Sequence, residues 1–410
     1  MSDSTPKHNS QPAEASIDEL RRDFTHTMGV PFTAGNQLEP LLNGDQIFPA
    51  MLEAIEQAQH TIEFLTFVYW TGDIAETFAH ALSDAAKRGV EVRVLLDAFG
   101  AAAMDHQLID EMEEAGADVV WFRPMRRLKF WMVDHRTHRK VLICDGKVGF
   151  TGGVGIAAEW EGDARDENEW RDTHFRITGP ALAGLRSAFL GNWVEADQPL
   201  PDDTTPDDQT HPEAAEHDAA PAAADVETGL VQVIRSTASI KWSDAYLLHR
   251  LVLRAARQKI NITTAYFVPH PTTVELLCDT AKRGVEIQIL LPGPHTDEKL
   301  CRLAGEDAYQ PLLDAGISIH VFQPTMLHAK IITVDGKLAV LGSANFNQRS
   351  MQKDDEICLT VLDQPLVKQL DDHFDHDLTR AEPIDLSQWR KRSVWQRAKE
   401  SAVRLVRPEL

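Results

Sequence analysis

Cysteine is scarce: the chain has four in 410 residues, Cys144, Cys278, Cys301 and Cys358, with no Cys-x-x-Cys spacing among them. That excludes a disulfide framework and a cysteine zinc site, and free thiols of this kind fit a reducing compartment. Long apolar runs are missing as well. None approaches the roughly 18 residues of a membrane span, and the polar residues 1–28 lack the apolar core of a signal peptide. The expectation is a soluble or peripheral protein of the cytoplasm. Positive charge is also in deficit, with 41 Lys and Arg against 63 Asp and Glu and a formal net charge of −22. Such a balance argues against nucleic acid as a partner, which calls for a basic surface.

The deficit is unevenly spread. Residues 197–228 hold ten Asp or Glu, no Lys or Arg, and much Pro and Ala, the composition of a disordered linker. The segments flanking it repeat each other. Ala86-Lys87-Arg88-Gly89-Val90-Glu91 returns as Ala281-Lys282-Arg283-Gly284-Val285-Glu286, each followed by an apolar strand that ends in Leu95-Leu96 or Leu290-Leu291. Each copy reads as a helix end, a glycine cap and a strand. Helical periodicity at 47–58 and 246–256 leads into strands at 61–69 and 260–268. Each half is thus an α/β unit, and 43% hydrophobic content supports two cores of roughly 160 residues each. The expected division is a flexible segment 1–36, a first domain 37–196, the linker 197–228, a second domain 229–385 and a tail 386–410.

The most specific repeat is chemical. His138-Arg139-Lys140 runs into Val141-Leu142-Ile143-Cys144 and Asp145, and His328-Ala329-Lys330 runs into Ile331-Ile332-Thr333-Val334 and Asp335. Both copies continue through Asp-Gly-Lys into a small-residue turn, Gly152-Gly153 or Gly342-Ser343-Ala344-Asn345. The strand period of two places each histidine and its lysine on one face, and the nearly continuous apolar stretches suit strands buried on both sides. Asp145-Gly146 and Asp335-Gly336 read as hairpin turns. A cation beside a titratable nucleophile suits an anionic phosphodiester, whose charge repels nucleophiles until it is neutralised. One histidine attacks phosphorus; the other protonates the leaving oxygen and later deprotonates the acceptor. That scheme needs neither metal nor cofactor.

The spacing His-x-Lys, four residues, Asp, six residues, Gly-Gly or Gly-Ser resembles the phospholipase D superfamily. Trp170-Arg171-Asp172-Thr173-His174, Tyr266-Phe267-Val268-Pro269 and Asn345-Phe346-Asn347-Gln348-Arg349-Ser350 are similar to its cardiolipin synthase branch. The resemblance implies two tandem phospholipase D-like α/β sandwich domains related by an approximate twofold axis, with the catalytic hairpins meeting across it. It implies catalysis by His138, Lys140, Asp145, His328, Lys330 and Asp335, with His138 as nucleophile. Asp172 and Glu356 follow their respective histidines by 34 and 28 residues. An acid so placed is implied to orient each imidazole. Phosphate binding falls to Ser343 and Asn345. The implied reaction is phosphatidyl transfer from one phosphatidylglycerol to another, giving cardiolipin through a phosphohistidine. Water as acceptor would make a phospholipid hydrolase of the same residues, and a nuclease is the more distant alternative. One departure stands out: Gly155 occupies the place of the branch's usual Asn, as at Asn345.

Some residues carry two readings. Asp145 and Asp335 are catalytic by motif, or anchors of their turns. Ser343 and Asn345 hold phosphate, or only the turn's own backbone. His135 and Arg136 reach a lipid headgroup, or belong to a solvated basic loop. The tail 386–410 carries seven basic residues against Glu400 and Glu409, a net of +5, with Trp389, Trp395, Ala398, Ala402 and Leu405 on one helical face. It is either an interfacial helix on anionic lipid at the inner face of the cell membrane or a helix packed on the second domain.

Overall fold

In the computed structural model, the described residues are 15–124, 135–202, 229–239 and 243–392. Two mixed sheets carry the repeat. The first runs Gln37–Leu42, Thr173–Thr178, Val148–Gly152, Val141–Cys144, Thr61–Thr66, Glu91–Asp97, Asp118–Phe122. In the second the same succession returns: Leu230–Ser236, Asp354–Leu362, Leu338–Gly342, Ile331–Val334, Lys259–Thr263, Glu286–Pro292, Ser318–Phe322, closed by Ala381–Pro383. The expected helix–glycine–strand units are present: helices Asp73–Lys87 and Pro271–Lys282 each end before a left-handed glycine, Gly89 at φ 90° and Gly284 at φ 93°. A side chain would be strained at either.

The expected hairpins form as well. Strands Val141–Cys144 and Ile331–Val334 are almost wholly buried. Each is followed by a tight turn closed by Lys147 N–H to Cys144 O or Lys337 N–H to Val334 O, both 3.0 Å. Positive φ at Asp145 and Gly146 (53° and 62°), and at Asp335 and Gly336 (51° and 65°), gives the twist that antiparallel strands need.

Apolar burial fills three large clusters. One lies largely within the first half, joined by Ala265 and Met326 of the second, and one largely within the second. The third joins them: Leu65, Val141 and Ile143 from the first sheet meet Leu341, Ile357 and Leu359 from the second, together with helices Leu182–Glu195 and Gln364–Leu378. The halves therefore share a core.

The N-terminal expectation needs correction. Within 1–36, helix Ile17–Met28 is capped by Ser16, whose hydroxyl accepts from Glu19 N–H while the Glu19 carboxylate accepts from Ser16 N–H. Leu20 and Phe24 bury into the second half's core beside Leu230 and Leu248. Overall polarity concealed one apolar stripe on the helix. Linker residues 203–228 and tail residues 393–410 lie outside the described residues. Of the tail, helix Leu386–Arg390 sets Trp389 against Tyr309 with ring centroids 5.2 Å apart, which is a packing contact.

Candidate active site

Backbone exchange between the halves builds the site. Strand Arg136–Thr137 pairs in parallel with Asp354 and Asp355 of the second sheet, and His138 N–H donates to Asp355 O at 2.9 Å. Reciprocally, Arg171 bridges Leu327, and His328 N–H donates to Arg171 O at 2.7 Å. Asp355 and Arg171 immediately precede the two carboxylates. Each histidine is thereby laid beside the acid of the opposite half. His138 Nδ1 lies 3.1 Å from both Glu356 oxygens, and His328 Nδ1 lies 2.8 Å from Asp172 Oδ2. The expected His–carboxylate pairs exist, but crossed.

Further bonds lock the crossing. Arg139, between His138 and Lys140, is buried and donates to Glu356 O, Ala188 O, Asn192 Oδ1 and Ser236 O. Arg171 pairs with Asp377 across the halves, with Nη2 to Oδ2 at 2.9 Å. Lys140 Nζ donates to His138 O at 2.8 Å, and Lys330 Nζ lies 3.0 Å from the His328 imidazole nitrogens. Both His-x-Lys pairs line or adjoin one cavity of about 890 Å3, whose wall includes Phe67, Trp70, Arg136, Trp160, Trp170, Tyr266, Asn345 and Asp354.

Burial dominates the electrostatics. It pushes His138 and His328 down to about 4, against the pull of Glu356 and Asp172, with Lys140 and Lys330 adding to the fall. Burial likewise lowers Lys140 to about 7 and Lys330 to about 8. The carboxylates go the other way from what burial alone would give. His138, Lys140 and the Ser343 hydroxyl outweigh it and hold Glu356 at about 2; His328 and Lys330 hold Asp172 well below the usual range. With Nδ1–H given to a carboxylate, each neutral imidazole keeps a lone pair on Nε2, the state a nucleophile requires.

The two half-sites support their acids differently. Ser343 donates its hydroxyl to Glu356 Oε2, whereas Trp160 Nε1–H donates to Asp172 Oδ2 at 3.0 Å. A Cβ on Gly153, the counterpart of Ser343, would sit 2.4 Å from Asp172 Oδ1, so a side chain has no room there. Ser343 is fully buried and engaged with Glu356, which assigns it to holding the carboxylate. Asn345 does face the cavity. At Gly155 a Cβ would lie 2.6 Å from Val68 Cβ, so the missing amide leaves no vacant space.

Asp145 and Asp335 are not in the cavity wall. The Asp145 carboxylate accepts from the N–H groups of Gln59, His60 and Thr61 at 2.7–3.2 Å, and Asp335 from those of Arg257, Gln258 and Lys259 at 2.8 Å. They anchor the start of the neighbouring strand, as the turn reading has it. Arg136 is buried and lines the cavity; it is not part of a solvated loop. Sequence reasoning passed over Asp354, Phe67 and Trp160 and gave Arg349 no role beyond its place in the motif, although Asp354 stands two residues before Glu356 as Trp170 does before Asp172, and that offset marks both as wall residues. All four cysteines are buried and unpaired in disulfides.

Comparison with known proteins agrees with this architecture. The family described as "Cardiolipin synthase, PLD-like domain" matches residues 51–169 and 250–378, one match per half. Cardiolipin synthase 1 of Bacillus anthracis is 34% identical over 376 residues, covering 90% of this chain and 72% of its own. The cardiolipin synthase of Geobacillus thermodenitrificans (strain NG80-2) is 32% identical over 384 residues, 93% of this chain and 74% of its own. In fold, phosphatidylserine synthase of Haemophilus influenzae Rd KW20 superposes with a TM-score of 0.70 at 15% identity, over 96% of this chain and all of that one. With its duplicated motif, crossed histidine–carboxylate pairs and shared cavity, the chain belongs to the phospholipase D superfamily, in its cardiolipin synthase branch.

Proposed function

We propose that this chain is a phosphatidyltransferase that joins two phosphatidylglycerol molecules into cardiolipin, releasing glycerol through a phosphohistidine intermediate. The observation that carries the reading is the single cavity served by both His-x-Lys pairs, each imidazole held from behind by an acid of the other half. A phosphodiester between Lys140 and Lys330 has its charge neutralised, which lets a neutral imidazole approach phosphorus. The second imidazole, whose Nδ1 meets a carboxylate that stabilises the charged ring, serves as general acid in its imidazolium form. Aromatic walls from Phe67, Trp70, Trp160 and Trp170 suit the apolar part of a lipid and limit access of water. Asp145 and Asp335 act on this scheme only by fixing the hairpins.

The protein acts at an anionic membrane surface, at the cytoplasmic face. No helix among the described residues is long and apolar enough to cross a bilayer. Support for a surface role comes from the net +5 of residues 386–410 and from Phe99, 61% exposed on the cavity rim. Deleting residues 386–410 is expected to weaken sedimentation with phosphatidylglycerol liposomes; equal binding by the truncated chain removes the tail from the account.

The deciding experiment is incubation of the purified protein with labelled phosphatidylglycerol liposomes and resolution of the products. Cardiolipin with glycerol supports transfer. Phosphatidic acid as the sole product turns the reading to hydrolysis.

A further inference from the structure

The repeat gives positions beside one histidine counterparts beside the other, and four such pairs differ in the same direction. Arg136 stands two residues before His138; Met326 stands two before His328. Asp354 stands two before Glu356, the acid under His138, and Trp170 stands two before Asp172, the acid under His328. Ser343 and Asn345, on the turn that bonds Glu356, answer to Gly153 and Gly155, on the turn packed against Asp172. In all four pairs the polar member belongs to the His138 side. Three aromatic rings crowd the His328 imidazole, Trp160, Trp170 and Tyr266 at 5.2, 5.4 and 6.0 Å centroid to centroid, with Asp297 accepting from the Tyr266 hydroxyl at 2.7 Å; His138 has Phe67 at 5.3 Å.

The polar wall has unmet acceptors. Asn345 Oδ1 and Asp354 Oδ1 take no hydrogen bond among the described residues, although the two side chains line the cavity at 2% and 5% exposure. The other Asp354 oxygen meets Arg349 Nε at 3.1 Å. Buried acceptors of this kind are satisfied by ligand O–H groups. Arg136 and Arg349 line the same wall and supply positive charge for the phosphate that a lipid headgroup carries next to its hydroxyls.

We infer that the His138 side is a polyol subsite: Asn345 and Asp354 hold the hydroxyls of the departing and the accepting glycerol headgroup, which makes His138 the acid–base residue and His328 the nucleophile. This rests on the phosphatidyl-transfer reading and reverses the nucleophile assignment that family resemblance implies. The reason is geometric. In an in-line displacement the leaving oxygen lies opposite the nucleophile and next to the general acid. The cycle starts with His328 neutral and His138 as the imidazolium: His328 Nε2 bonds to phosphorus as the bond from phosphorus to the headgroup oxygen breaks, and that oxygen takes the Nε2 proton of His138. The acceptor hydroxyl then gives its proton to His138 while its oxygen bonds to phosphorus and the phosphorus–nitrogen bond to His328 breaks. Protons and charge return to their starting count.

The test uses the full chain and phosphatidylglycerol labelled in its phosphate. After an alkaline quench and proteolysis, the label is expected on the His328 peptide. A companion assay measures cardiolipin formed against phosphatidic acid formed, because water needs no polyol subsite. Asn345→Gly, which copies the other half, and Asp354→Leu are each expected to lower that ratio about tenfold or more. Label on His138 in wild-type enzyme that makes cardiolipin overturns the assignment alone, and an unchanged ratio in both variants overturns the subsite. Wild-type enzyme that makes no cardiolipin overturns the transfer reading and this inference with it.

Discussion

Two histidines and two acids are the smallest unit at which the site can be tested. Because the pairs cross, removing the charge of Asp172 acts on His328, and removing that of Glu356 acts on His138. Asp172→Asn and Glu356→Gln are each expected to cost about 10²-fold or more in turnover, since an amide cannot fix the tautomer as a carboxylate does. The histidine ring NMR signals report the wiring. Asp172→Asn should shift the His328 resonances and leave those of His138 nearly in place; the opposite pattern contradicts the crossing. At this scale the sequence was informative about identity and silent about partnership. Duplicated spacing marked His138, Lys140, His328 and Lys330, and offsets marked Asp172 and Glu356. Distances along the chain carry no record of two backbone segments changing sheets, so the exchange through Asp355 and Arg171 was illegible, as was the use of Ser343 to hold Glu356.

Hairpins and one helix decide the behaviour of the elements. Asp145 satisfies three backbone N–H groups at the start of strand Thr61–Thr66, outside the cavity. Asp145→Ala is therefore expected to destabilise the protein by about 1–2 kcal/mol, because three charge-assisted N–H bonds are lost, that of Thr61 half-buried and those of Gln59 and His60 exposed. Calorimetry should show the drop in unfolding midpoint while turnover below that midpoint survives; abolished turnover in fully folded protein would restore a catalytic role. Helix Ile17–Met28 supplies a second case. Phe24 is fully buried in the second half's core, so Phe24→Ala should cost about 3–5 kcal/mol in denaturant unfolding, and a cost near zero would show that helix to be dispensable. The repeated helix–glycine–strand units and both hairpins were readable because turn chemistry and apolar period are local. The Ser16–Glu19 capping box was local too, and the polarity of residues 1–28 hid it.

At the scale of the whole molecule the halves stand or fall together, since one apolar cluster and two buried arginines span them. Fusion also concentrates buried imidazoles. His138, His174 and His328 are each pushed by burial to about 4 from an ordinary 6.5. The unfolded chain binds protons below 6.5 that the folded chain refuses. Their contribution, on the order of 3 kcal/mol for each group, is fully present above 6.5 and is lost as pH falls through 4. Asp354, raised by burial to about 7, opposes them over the same window but offsets only one of the three. Thermal unfolding is therefore expected to shift to lower temperature between pH 6.5 and 4; a midpoint that stays flat across that window contradicts the burial argument.

The central claim is one catalytic unit drawn from both halves, and turnover of His138→Ala, His328→Ala and the double variant on phosphatidylglycerol liposomes tests it most directly. Each single variant should fall below about a hundredth of the wild-type rate, with the double variant no slower than the slower single, because residues that act as a unit lose their function once. Either single variant keeping more than about a tenth of the rate, or losses that multiply in the double variant, would contradict it.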